Sequence, residues 1–378
     1  MASPRTPGPL AEVLGFFLRL GVIAFGGPAA HIALMEREAV ERRHWLTREH
    51  FLDLVGACNL LPGPGSTQVA MALGFVRAGW LGLIVAGVCF ILPASLATLA
   101  LAWAYVHYGH LPQATGALLG AKAVMVAIVV QAIWRLGHLA LRPWPMLLLG
   151  AACFAAALGG LPPLGILLAA GCLVLFTASV RSQSQSLIAA AFMPAPGISL
   201  PVAASAGLIP VALVFLKLGV VVFGSGYVLL AFLQTDLVDR LHWVTNQQLL
   251  DAVTAGQLTP GPVFATSTFL GYLLHGGSGA AVATAAIFLP SFFMAGAVGA
   301  LAGRLRKSPL SAEFLNGVNA AAVALMVQVT YILGRQALQA PGTWGIALAS
   351  ALLLIRYRVN ATWLLLAGAA LGLVLPLR

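Results

Sequence analysis

Two prolines bracketing a glycine occur twice in this chain, as Leu61-Pro62-Gly63-Pro64 and as Thr259-Pro260-Gly261-Pro262, each within apolar sequence. Proline fixes φ and lacks an N–H, and glycine frees the backbone, so neither helix nor strand runs through such a triplet. Polar side chains gather around both breaks: Asn59, Ser66, Thr67 and Gln68 at the first, Gln257, Thr259, Thr266, Ser267 and Thr268 at the second. A helix starting just after Pro64 or Pro262 would point its free N–H groups back at the break. Hydroxyls and amides add donors without a fixed charge. Donors of this kind suit a tetrahedral oxyanion. The competing reading is a kinked helix that satisfies its own freed carbonyls.

A second pair of breaks lies upstream of each triplet. Phe25-Gly26-Gly27-Pro28 interrupts one apolar run, and Phe223-Gly224-Ser225-Gly226 interrupts its counterpart. Two adjacent glycines cost a helix interior about 2 kcal/mol relative to alanines, and Pro28 is suited to start a new helix. An unwound turn here would expose N–H groups and a positive dipole end to an anion. Close helix packing through small residues is the alternative.

Ionisable residues inside the apolar runs are few. Arg19 and Lys217 occupy matched positions seven residues before the glycine pairs, and Lys122 sits in a later run, opposite Asn319 in the duplicate. These three cations could attract an anion, or their long side chains could snorkel to the interface. Asp53 and Asp251 are matched acids, read either as helix N-caps or as proton carriers. His31 and Glu36 lack counterparts of the same type and are weaker candidates for proton handling. His44 and His242, each beside a tryptophan, read as members of an interfacial aromatic belt. No Walker A sequence, Ser/His/Asp arrangement or metal-ligand cluster can be argued, so neither an enzyme nor a cofactor is expected.

The elements that must hold these residues belong to a membrane. Of 378 residues, 60% are hydrophobic and 8% charged, against about 25% charged in soluble domains. The net charge of +10 sits mainly in short loops between apolar runs, which fits the positive-inside rule better than nucleic-acid binding. The four cysteines (Cys58, Cys89, Cys153, Cys172) are scattered through apolar sequence without metal spacing.

The chain is a duplication. Residues 16–64 align with 214–262 without a gap and with 21 of 49 positions identical, and after one deletion Leu92-Pro93 matches Leu289-Pro290 and Gln131 matches Gln328. The expected division is a first repeat over 1–190, a linker over 191–204 and a second repeat over 205–378. Each repeat reads as a first helix with a glycine break (11–35; 205–232), a polar loop (36–50; 233–248) and the Pro-Gly-Pro segment (51–75; 249–273). Four further apolar stretches follow in each (79–104, 116–134, 143–157, 163–180; 279–302, 314–333, 343–355, 360–376). Loop charge is reversed between the halves: 36–50 holds Arg37, Arg42, Arg43 and Arg48 against Arg240 alone in 233–248, whereas 105–115 has no Lys or Arg and 303–310 has three. Re-entrant Pro-Gly-Pro segments would put the basic loops on one side, giving an all-α integral membrane protein of two inverted-topology repeats with about five spans each. Crossing segments would give a parallel repeat.

As a set, Phe25-Gly26-Gly27-Pro28 with His31, Leu61-Pro62-Gly63-Pro64 with Thr67-Gln68, and the run Gly79, Gly82, Gly87 ending at Leu92-Pro93 resemble the chromate ion transporter family. The second half resembles the same domain through Phe223-Gly224-Ser225-Gly226 and Gln257-Leu258-Thr259-Pro260-Gly261-Pro262. The resemblance implies a fused two-domain member: an inner-membrane, multi-pass carrier exporting chromate, with sulfate as a similar oxyanion, energised by the membrane potential or a proton gradient. The second half departs from the pattern, with Gly226 for Pro28 and Ala265-Thr266 for Thr67-Gln68, so the two halves are not expected to hold the anion identically. Sulfate import or exchange and an uncoupled anion channel are the alternative activities. The expected partners are the oxyanion and the lipid bilayer, not nucleic acid, and the sequence leaves room for a homodimer. The expected substrate-binding residues are Arg19, Gly26, Gly27, Pro28, Asn59, Pro62, Gly63, Pro64, Thr67, Gln68, Lys122 and Lys217. In the second repeat they are Gly224, Ser225, Gly226, Gln257, Thr259, Pro260, Gly261 and Pro262. Topology reporters fused at Pro112 and at Ser308 are predicted to report opposite sides of the membrane; the same side for both would exclude the inverted arrangement.

Overall fold

The computed structural model describes residues 8–25, 27–109, 111–182, 206–223, 226–305, 309–357 and 359–374. Gly26, Gly224, Ser225 and the linker 191–204 lie outside the described residues. Among those described, the chain is helical and contains no strand. The first repeat comprises α1 (Pro9–Ile23), α2 (Pro28–Glu36), α3 (Arg48–Asn59), α4 (Gly65–Tyr108), α5 (Pro112–Ala140), α6 (Trp144–Leu158) and α7 (Pro163–Ser182). The second comprises α8 (Leu208–Val221), α9 (Leu229–Leu233), α10 (Asn246–Leu258), α11 (Thr266–Leu305), α12 (Pro309–Ala337), α13 (Pro341–Arg356) and α14 (Ala361–Val374).

Neither break passes a helix straight on. α1 has 15 residues, about 22 Å of rise, which is less than the roughly 30 Å hydrocarbon core. The chain then turns back: the Phe16 and Trp45 rings meet edge to face at 5.7 Å, and the Arg43 guanidinium lies over Phe16. The Pro-Gly-Pro segment reverses in the same way. α3 starts just after Trp45, yet Arg77, beyond the break, lies over the Trp45 ring at 5.9 Å and pairs with Glu12 at 2.9 Å. Two half-length hairpins therefore stand side by side, with their open ends at one end of the molecule and their breaks near its middle. The stretch expected as a polar loop is partly helical. π-Helical turns at Arg37–Arg42 and Gln234–Arg240 extend α2 and α9, and both end where His44 and His242 adopt positive φ, 51° and 52°.

α4 and α11 each fold on themselves as well. Ala78 and Gly79 leave helical geometry with φ/ψ of −144°/26° and 62°/−152°, and His275 and Gly276 do so at −145°/27° and 60°/−146°. The backbones of Gly74 and Gly82 touch across the first turn, as do those of Gly271 and Gly279 across the second. Each helix is thus a short arm (65–77; 266–274) returning from the break and a long arm (80–108; 277–305). The near-identical angles are the duplication expressed in backbone geometry.

The halves interlock rather than forming separate bodies. α4 packs on α11, with Trp80 at the start of one long arm against Gly296 near the end of the other. α5 packs on α13 and α14, and α12 on α6 and α7. Gly116 and Gly120 meet Gly372 and Gly368 at glycine-to-glycine contacts. The matched Gln131 and Gln328 each cross to the other half, donating to the carbonyls of Leu354 at 3.0 Å and Ala157 at 2.8 Å.

The outer surface is apolar, with Phe293 71% and Leu139 74% exposed. The stretches Gly65–Tyr108, Gln113–Ala140, Val263–Val298 and Ala312–Ala337 are long and apolar enough to cross a membrane. The chain is a multi-pass membrane protein. A side chain at Gly74 would collide with the Gly82 backbone, whereas a Cβ at Gly56 meets nothing within 4 Å. Gly74→Leu is therefore predicted to lose about 1–3 kcal/mol or more in thermal unfolding, and Gly56→Ala to be neutral or up to about 1 kcal/mol more stable. Equal behaviour of the two variants would contradict the hairpin.

Candidate functional site

The two Pro-Gly-Pro triplets meet the two upstream breaks of the opposite half. Gly63 donates its N–H to the Val222 carbonyl at 2.6 Å, and Gly261 donates to the Ala24 carbonyl at 2.8 Å. Val222 and Ala24 are the residues at which α8 and α1 end. Both glycines have positive φ, 108° and 97°, a conformation that glycine adopts without a Cβ clash. The same two positions also allow close approach. A Cβ on Gly63 would lie 3.1 Å from Ser291 Oγ, and one on Gly261 would lie 2.8 Å from the Ala94 methyl.

Around these crossings the polar residues fall into place. Pro64 precedes α4, and its carbonyl accepts from the N–H groups of Thr67 at 2.8 Å and Gln68 at 3.0 Å. Those of Gly65 and Ser66 have no acceptor within the helix. Gln68 Nε2 donates to the Pro62 carbonyl at 2.5 Å, which holds the triplet's shape. Pro262 is followed by a 3₁₀ turn, Val263–Ala265, before α11 begins, so the second copy does not open directly into an α-helix. The Thr259 hydroxyl meets that of Thr98 from the first repeat at 3.1 Å. Gly27 sits at positive φ just before Pro28, the first residue of α2, and its nearest neighbour across the interface is the Tyr227 hydroxyl. Gln257, on α10, is a side-chain neighbour of that hydroxyl. Gly226 lies in the turn before Tyr227, and Asn59 ends α3 beside Gly65. The buried hydroxyls of Thr67, Ser95, Ser267 and Ser291 have no hydrogen-bond partner among the described residues.

His31 is fully buried. Its Nε2 lies 3.1 Å from the Ala24 carbonyl and its Nδ1 lies 3.2 Å from Ser66 Oγ. A neutral ring satisfies both contacts, with Nε2–H donating and Nδ1 accepting. The Ala24 carbonyl thus collects bonds from both halves. At the matched position in the second half, Leu229 offers no equivalent.

The cations are placed differently from the breaks. Lys217 is held by Asp236, with Nζ at 2.9 and 2.8 Å from the two carboxylate oxygens. Lys122 pairs with Asp251 at 2.7 Å, the side chains being 4% and 1% exposed, and Tyr105 donates its hydroxyl to Asp251 at 3.1 Å. Both charges are balanced. Arg19 is exposed and lines a pocket on the outer flank of α1. The reading of Asp53 and Asp251 as helix caps does not hold. Thr47 caps α3 and Thr245 caps α10, the latter in a capping box with Gln248, and both aspartates lie further along their helices. Ser291, Ser95 and Thr98 escaped the sequence reading because they lie on the long arms, far from either triplet in the chain. A polar residue directly after the Leu289-Pro290 match was the one signal available for Ser291.

A family model described as chromate transporter matches residues 11–175 and 209–373. The chain belongs to the chromate transporter family. The two matched regions of this transporter family coincide with the two copies of the broken-helix unit. Among curated relatives, the chromate transport protein of Cupriavidus metallidurans is 33% identical over 375 residues, covering 97% of this chain and 93% of its own length. A probable chromate transport protein of Synechococcus elongatus is 32% identical over 339 residues, covering 87% and 86%. The chromate transport protein of Pseudomonas aeruginosa is 33% identical over 307 residues, covering 77% and 73%. No solved structure matches the chain.

Removing one member of a buried ion pair leaves the other charge uncompensated, at a cost of about 3–5 kcal/mol, whereas replacing both by apolar residues is often neutral. Asp251→Asn is accordingly predicted to lose stability of that order in thermal unfolding, and Lys122→Met/Asp251→Leu to recover most of it. An Asp251→Asn protein as stable as the parent would show that the pair does not hold α5 to α10.

Proposed function

We propose that the chain is a secondary carrier of chromate, moving the dianion outward across the inner (plasma) membrane at the crossed breaks. The observation that carries this reading is the set of unpartnered buried hydroxyls on Thr67, Ser95, Ser267 and Ser291, of which that of Ser291 lies against Gly63, where one backbone bond is exchanged. Each buried polar group left unpaired costs about 1–3 kcal/mol. A ligand that accepts hydrogen bonds removes that cost, and the stretches 59–68 and 257–268 contain no carboxylate to repel an anion. The three named relatives are chromate transport proteins, or probable ones, over most of this chain. The residues proposed to face the anion are Gly27, Pro28 and Asn59, Pro62 to Pro64 with Thr67 and Gln68, and Gln257, Thr259 and Pro260 to Pro262. Gly26, Gly224, Ser225 and Gly226 are assigned to the same breaks by the repeat.

The reading includes two repeats, 1–190 and 205–378, of opposite orientation. Supporting it, the matched long arms of α4 and α11 run antiparallel, and the exchanged contacts are reciprocal: Gly63 with Val222 against Gly261 with Ala24, and Gln131 with Leu354 against Gln328 with Ala157. Inverted repeats with broken helices at their interface form a midplane binding site in many carriers. An inside-negative potential favours exit of a dianion by about 5 kcal/mol per 100 mV, so efflux needs little further coupling. A proton gradient is the alternative driving force.

Everted vesicles containing the protein are predicted to accumulate labelled chromate when energised, and accumulation should fall when the potential is collapsed. Ser291→Ala should raise KM for chromate about tenfold or more, the cost of one hydrogen bond to a charged ligand. No uptake in any energised state rejects the assignment. Sulfate uptake without chromate uptake reassigns the substrate, and flux that rises with chromate concentration without saturating indicates a channel.

A further inference from the structure

Outside the crossed breaks, the flank of α1 carries a concave basic pocket of about 200 Å³. Arg19 from α1 and Arg37, Arg42 and Arg43 from the π-helical extension of α2 line it, with Ile23 and Leu34 on its apolar wall. Four guanidinium groups share one carboxylate: Glu38 takes Arg42 at 3.0 Å and Arg43 at 2.8 Å. Neither Arg19 nor Arg37 makes an ion pair with a described residue. The second repeat has no such excess. There Lys217 is held by Asp236, and Thr235 and Leu241 stand where the first repeat has Arg37 and Arg43. The basic pocket is therefore a feature of one repeat and of one end of the molecule, and the crossed breaks, built from both repeats, do not need it.

Its shape is that of a site for an amphiphile. The apolar wall continues onto the outer face of α1, where Leu14, Leu18 and Val22 are 47%, 43% and 53% exposed. In a bilayer such side chains face lipid. Arg19 lies seven residues along α1 from Glu12, about 10 Å deeper, within reach of a headgroup by snorkelling. Arginine forks pair with phosphate oxygens in bidentate geometry. The end of the molecule that bears this pocket also bears Arg48 and Arg77, so the positive-inside rule assigns it to the cytoplasmic leaflet, where anionic lipids attract clustered arginines. We propose that this pocket binds the phosphodiester headgroup of an anionic phospholipid, with the acyl chains lying along the exposed face of α1. A free oxyanion shares the headgroup's chemistry but gains nothing from the apolar flank.

Native mass spectrometry of the purified full-length protein tests this, with phosphatidylglycerol and phosphatidylcholine titrated in parallel and inorganic phosphate as competitor. The expected result is preferential retention of phosphatidylglycerol that excess phosphate does not displace. Arg37→Gln/Arg42→Gln should weaken that retention about twenty-five-fold, about fivefold for each arginine. Arg37→Lys/Arg42→Lys, which keeps the charge and loses the forks, should fall between. Equal retention of the two lipids by the parent protein overturns the proposal whatever the variants do. Displacement by phosphate at comparable concentration reassigns the pocket to free anions and overturns it too, as does undiminished retention in a folded double glutamine variant. None of these outcomes depends on chromate uptake, so the carrier reading stands or falls separately.

Discussion

A helix interrupted in an apolar interior leaves backbone groups that nothing nearby can satisfy, and each one left unpaired is costly. This chain interrupts four helices at one level. It meets the constraint by exchange: the Gly63 N–H goes to the carbonyl ending α8, and the Gly261 N–H goes to the carbonyl ending α1. Much else follows. The triplet glycines must take positive φ, and they must lack a side chain because Ser291 and Ala94 press against them. Neither repeat completes its own breaks, so the halves interlock, and the same exchange recurs further out where Gln131 and Gln328 each bond the other half.

The exchange also sets the chemistry of the centre. The backbone bonds use one donor per triplet and leave the hydroxyls of Thr67 in the first turn of α4 and Ser267 in the first turn of α11 without a partner among the described residues. Fixed charges are kept elsewhere, and the acids Asp251 and Asp236 are each paired with a lysine, Lys122 and Lys217. A centre rich in neutral donors and poor in acids can hold a dianion without binding it too tightly to release. The halves are not equivalent there. His31 braces the Ala24 carbonyl against Ser66, and Leu229 leaves the matched carbonyl in the second half without that support.

The architecture was legible in the sequence wherever local chemistry dictates geometry. Pro-Gly-Pro demanded a break. The repeat paired the two breaks, and the reversed loop charge pointed to hairpins rather than crossings at the triplets. Other features were not legible. The segment boundaries expected between 75 and 79 and between 273 and 279 fall at Ala78-Gly79 and His275-Gly276, but nothing local showed that the chain folds tightly back there, because one glycine at positive φ leaves a weaker mark than two prolines. The turn at Phe25–Pro28 was expected as an interruption, but that the chain folds back there depends on Trp45 and Phe16 meeting, a contact between residues far apart in sequence. The partners of Lys122 and Lys217 were hidden for the same reason. Asp251 comes from the other repeat, and Asp236 lay in a stretch read as a loop.

The central claim is that the anion sits where the two repeats exchange their backbone bonds. A cryo-electron microscopy map of the protein saturated with chromate tests it most directly. The account predicts density for a tetrahedral ion between the two triplets, in contact with the Ser291 and Thr67 hydroxyls and the start of α4. Density confined to the arginine pocket on α1, or an unoccupied centre in saturating chromate, would contradict it.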